Sequence, residues 1–103
     1  MYLYLFFKLF VILYYNHATN LRFFGISIYI YAKNHFPPHF HAIYGNDEAM
    51  IDIKSKSIIN GNLPNRAFKM VKEWAELHER ELLNNFDESQ KPNPQFKLIE
   101  PLN

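Results

Sequence analysis

Seven consecutive residues carry most of the chemistry this chain can offer: His35-Phe36-Pro37-Pro38-His39-Phe40-His41. The two prolines fix φ and supply no N–H donor, so no helix runs through them. Beyond them the chain reads as a strand, where residues two apart face the same way. His39 and His41 therefore stand side by side. Paired imidazoles can ligate a metal, exchange protons near neutral pH or grip a phosphate.

Three kinds of function use such a pair. A divalent metal would take His39 and His41 together, with His35 from the loop or Asp52 from the next strand as a third ligand. An RNA-cleaving centre would use the histidines as acid and base on a 2′-hydroxyl. In it Asp52 holds one ring in a single tautomer, and Arg22 or Lys33 steadies the phosphate charge. Tyr29 and Tyr31 would stack bases, with Tyr44 completing the binding set. In the third kind, the proline-stiffened segment is a rigid recognition loop that docks a partner protein without catalysis. For Tyr29, Tyr31 and Asp52 the structural alternative is ordinary strand packing. His78 and Glu73 read as boundary and solvated helix residues, and His17 carries no role. No glycine-rich phosphate loop and no zinc-finger spacing is present.

The elements that must position these groups follow from periodicity. From Arg22 to Tyr31, Ile26, Ile28 and Ile30 alternate with Ser27, Tyr29 and Tyr31, which predicts one half-buried strand. His39 to Tyr44 is a second strand, Gly45-Asn46 a two-residue hairpin turn, and Asp47 to Ile53 a third strand. That loop length pairs Tyr44 with Asp47, Ala42 with Ala49 and Phe40 with Ile51. Phe40, Ala42, Ala49, Ile51 and Ile53 then share the core face, while His39, His41, Met50 and Asp52 share the other. Ile58-Ile59 makes a short fourth strand. Ala67, Met70, Val71, Trp74, Leu77 and Leu82 then recur at helical spacing after Pro64. The expected fold class is α+β: a three- or four-stranded antiparallel β-meander, one long helix to about Asn85 packed on it, and a short C-terminal strand or tail over Phe96 to Leu102.

The chain has 103 residues, 49% apolar and 17% aromatic, enough for the core of one small domain and too few for two. It has no cysteine, which excludes disulfides and thiolate metal sites and fits a cytoplasmic setting. A net charge of +1 neither requires nor excludes nucleic acid. Residues 1–20 form an apolar, aromatic leader interrupted by Lys8. It is short for a span of roughly 20 apolar residues. It reads as a poor membrane or signal segment, an extra packed element, or, the favoured reading, an over-long gene start, with one α+β domain over residues 21–103. No membrane is expected unless that leader is real.

Arg22-Phe23-Phe24-Gly25-Ile26, the run His35 through Ala42, Tyr44-Gly45, Leu63-Pro64, Glu73-Trp74 and Ile99-Glu100-Pro101-Leu102 together resemble the bacterial family known as domain of unknown function 4160. The resemblance spans Leu21 to the C-terminus, and the leader departs from its pattern. It implies a small bacterial protein encoded beside a second small protein, in pairs like toxin–antitoxin modules. The expectation is a component of such a pair, its toxin half favoured, acting through the histidine cluster. Non-catalytic protein binding and a metal-dependent small enzyme are the alternatives. The partners expected are a cognate small protein and RNA.

Overall fold

The computed structural model of the chain describes residues 20–31 and 36–102. The leader reading, together with His35 and Lys33, lies outside the described residues. Among the described residues, five strands form one antiparallel sheet in sequence order: β1 (Asn20–Phe23), β2 (Ile26–Tyr29), β3 (His39–Tyr44), β4 (Asp47–Asp52) and β5 (Ile58–Gly61). Two helices follow, α1 (Asn65–Leu77) and α2 (Glu79–Ser89).

The expected first strand is in fact a hairpin. Phe24 and Gly25 both take positive φ, 50° and 79°, and fold β1 back on β2. Two successive left-handed residues are the mark of a type I′ turn, whose twist suits antiparallel strands. The β3–β4 hairpin has the register the two-residue turn demands, from Tyr44 opposite Asp47 to His39 opposite Asp52. Gly45 supplies the positive φ, 61°, that starts this turn. β5 pairs Met50 with Asn60 and Ile51 with Ile58, so Ile59 is an extra residue, a β-bulge.

The core lies between one sheet face and the helices. Ile26, Ile28, Phe40, Ala42, Ala49 and Ile51 from the sheet, with Ile53 just past β4, meet Ala67, Val71, Trp74, Ala75, Leu82 and Phe86. Trp74 sits between Phe23 at 5.6 Å and Phe40 at 5.9 Å, ring centre to ring centre. Full burial of each such aromatic side chain contributes about 2–3 kcal/mol.

The single long helix of the sequence reading is two. At His78, φ is −121°, and the helix stops and restarts. Glu79 and Glu81 then lie in the first turn of α2, where the helix dipole favours carboxylates. The His78 ring packs 5.5 Å from that of Trp74, and its Nδ1 pairs with the Glu81 carboxylate. Leu77, expected on the buried stripe, is instead 67% exposed, because it falls past the edge of the face that Val71 and Trp74 define. The C-terminal segment is not a strand. The buried side-chain amide of Asn85 donates to Lys97 O at 2.8 Å and accepts from Lys97 N–H at 2.9 Å. Trp74 Nε1 donates to Glu100 O at 2.8 Å, and Ile99 enters the core.

Candidate functional site

Pro37 and Pro38 lead into β3, and Pro38 O accepts the Ile53 N–H at 3.0 Å, which fixes the strand's entry. The Phe36–Pro37 bond is cis. His39 and His41 then point from the sheet face opposite the main core, with ring centres 5.2 Å apart and planes at 67°. The geometric expectation of paired imidazoles therefore holds. Their surroundings differ from an open cleft: His39 is 1% and His41 4% exposed.

Aromatic rings close over the pair. The Tyr31 ring lies 4.6 Å from His41 and stacks at 13° and 5.9 Å on Tyr29. On the other side Phe86 lies 5.7 Å from His39 and stacks on Phe36 at 5.6 Å. The result is a row of six rings, two of them imidazoles. β3 is buried on both faces over His39 to Ala42, unlike a half-exposed strand.

Hydrogen bonding sets the tautomers. His39 Nδ1 lies 2.7 Å from Pro37 O, and a carbonyl only accepts, so Nδ1 carries the proton. His41 Nδ1 donates to Glu48 Oε2 at 3.1 Å. In the neutral form of either ring, the tautomer set by these contacts carries its hydrogen on Nδ1. His41 Nε2 is buried and meets no hydrogen-bond partner among the described residues.

Glu48 is the site residue that sequence reasoning missed. Alternation places it with Met50 and Asp52 on the histidine face. It stands diagonal to His41, within reach of a long side chain. Asp52, expected to orient His39, lies directly opposite it in register. However, Asp52 Oδ1 accepts the N–H groups of Lys54 at 2.8 Å and Ser55 at 2.9 Å and so closes the β4–β5 turn. The turn is tied down further by Lys56, whose Nζ reaches Glu79 Oε1 at 2.5 Å.

The other expected site residues divide between places. Tyr29 and Tyr31 join the ring row, but Tyr31 is buried and offers no open stacking platform. Arg22 is exposed on the same face two strands from β3, where Nη1 donates to Ser27 Oγ at 3.3 Å. Tyr44 faces the other way. It lines an open groove of about 500 Å³ with Phe24, Pro64, Arg66 and Met70. Phe24 is 56% exposed there and holds a positive φ that a bulky side chain rarely adopts.

Fold and site together define a small α+β domain: a five-stranded meander with an internal imidazole–aromatic row and an apolar groove at one end. Residues 25–87 match the family described as Domain of unknown function (DUF4160), more than half of the chain, and the protein belongs to that family. No curated protein and no solved structure matches it.

Among the described residues, no helix is long and apolar enough to cross a membrane.

Proposed function

We propose that this chain is the partner-docking component of a small two-protein pair of the toxin–antitoxin kind, and that it works by binding rather than by histidine catalysis. The observation that carries this reading is Phe24. A large apolar residue sits at the tip of a type I′ turn, at φ 50° and 56% exposed, where Asn or Gly would be far easier to hold. Strain of this kind persists where an exposed side chain has a use. Phe24 and Tyr44 line the groove together with Pro64, Arg66 and Met70. Such a groove suits an apolar side chain flanked by a carboxylate from the partner, the aromatic-and-arginine arrangement that dominates protein interfaces.

The closed histidine pair points the same way. Cleavage of RNA needs both imidazoles within hydrogen-bond reach of a ribose and its phosphate. Rings at 1% and 4% exposure, packed against Tyr31 and Phe86, favour a binding role over such an approach. The test is co-expression of the chain with the small protein encoded beside it, followed by affinity capture. Wild type and the double variant His39→Asn/His41→Asn should both capture the partner, and Phe24→Asn and Met70→Asp should not. Capture that survives both groove changes would overturn the reading.

A further inference from the structure

We infer that the groove beside Phe24 takes a second copy of this chain, which inserts its Leu77 there and lies antiparallel along α1 in a symmetric dimer. One line of residues on α1 carries both halves of the contact. Arg66, Met70, Glu73 and Leu77 are spaced four, three and four apart, the spacing that keeps residues on one face of a helix. Arg66 and Met70 line the groove. Leu77, about 10 Å beyond Met70 on the same line, is one of the most exposed large apolar residues among those described. One molecule therefore carries an apolar groove and, two turns away, an exposed apolar side chain of the kind that fills one. A two-fold axis lets each copy give its Leu77 and receive the other's.

The charges on α1 select the occupant. Arg66, Lys69 and Lys72 occupy its first half and Glu73 and Glu76 its second, and all five are exposed. This order opposes the helix dipole, which favours acids at the N-terminal end and bases at the C-terminal end. The pairs four apart, Lys69–Glu73 and Lys72–Glu76, also run in the weaker order, base before acid. Among the described residues none of these five side chains forms an ion pair. The single chain thus makes no use of the pattern, and an antiparallel second copy does. With the axis between Lys72 and Glu73, the basic half of each α1 faces the acidic half of the other. Lys72 then stands level with Glu73 of the second copy and Lys69 with its Glu76. In the same register Leu77 of the second copy falls between Arg66 and Met70, at the groove. A parallel copy would set like charges level instead. The dimer needs no other protein to form, and a second copy and the partner protein exclude each other at the groove.

The experiment is sedimentation velocity on the purified full-length chain across the micromolar range. Wild type should dimerise as its concentration rises, and less readily as salt is added. Leu77→Ser should weaken dimerisation at least about tenfold, as loss of an interface anchor does. Lys69→Glu and Glu76→Lys should each weaken it at least about fivefold, because each sets like charges level across the axis. An equimolar mixture of these two variants should recover the dimer, since every reversed charge then faces its opposite in the other molecule. Circular dichroism checks that each variant is folded. No other protein is present, so the result is independent of the capture test, and either reading can fail while the other stands. A chain that stays monomeric throughout, self-association unchanged in folded Leu77→Ser, or a mixture of the charge variants no more dimeric than either alone would each overturn the inference.

Discussion

Replacing Phe24 with Asn separates the needs of the fold from the needs of the surface. The residue occupies the first left-handed position of the β1–β2 turn at φ 50°, followed by Gly25 at 79°. Holding a side chain with a full Cβ in that conformation costs about 1–2 kcal/mol, and Asn removes most of it. Against this stands the edge-on contact of Phe24 with Phe23, ring centres 6.3 Å apart. Aromatic pairs of this type are worth about 0.5–1.5 kcal/mol. Phe24 is 56% exposed, so the low end applies. The balance favours Asn by about 0.5–1 kcal/mol, a rise in Tm of about 2–8 °C for a domain this size. Thermal denaturation followed by the fluorescence of Trp74, the only tryptophan in the sequence, measures it. The same substitution should weaken partner binding at least about tenfold, as loss of an interface anchor does. A fall in Tm of several degrees would refute the reasoning, because Phe24 would then be serving the fold and its exposure would need no partner.

Other outcomes follow from single contacts. Gly61→Ala should cost about 2–5 kcal/mol by urea denaturation, combining left-handed strain with overpacking, since at φ 82° its Cβ would lie 2.1 Å from Glu48 O. Asn85→Leu should cost about 1–3 kcal/mol, because Lys97 loses both of its hydrogen bonds to the side-chain amide. Limited proteolysis should then cut near Lys97, and Trp74 emission should shift to the red as Glu100 withdraws. The Lys56 ammonium, by hydrogen bond and charge, holds the Glu79 carboxyl below its ordinary 4.5. A carboxylate depressed in the folded state stabilises above its unfolded pKa, and that contribution fades as pH falls below 4.5. Melting curves between pH 6 and 3 should therefore show a shallower decline for Glu79→Gln than for wild type. Glu88, lowered by Lys91, contributes with the same sign.

The parts of the fold governed by alternation were legible in the sequence. The β3–β4 register followed from one turn length and one apolar face, and the pairing from Tyr44–Asp47 to His39–Asp52 matches it residue for residue. The β1–β2 turn was hidden because Phe24 occupies a position where Asn or Gly is the usual signal, leaving Gly25 alone to mark it. The break at His78 was hidden for a different reason. Val71, Trp74, Ala75, Leu82, Asn85, Phe86 and Ser89 keep one helical phase across it, so the hydrophobic pattern carries no interruption. The C-terminal segment satisfies its backbone through the side chains of Asn85 and Trp74, an arrangement that strand periodicity does not encode. At the imidazole pair, the side-by-side placement was legible and the burial was not. Closure comes from Tyr31 and from Phe86, which lies on a helix more than forty residues further along the chain. Asp52 and Glu48 shared a face by alternation, and the choice between them turned on a local event: Asp52 closes its own turn, which leaves Glu48 to reach His41 diagonally.

The central claim is that the chain acts through the groove beside Phe24, with His39 and His41 internal to the fold. Calorimetric titration of the purified chain with the proposed small partner protein tests this most directly, using wild type, Phe24→Asn and His39→Asn/His41→Asn. The account predicts that the groove variant loses at least about tenfold in affinity while the folded imidazole variant stays within about threefold of wild type. Binding untouched by Phe24→Asn but abolished in a folded imidazole variant would contradict it.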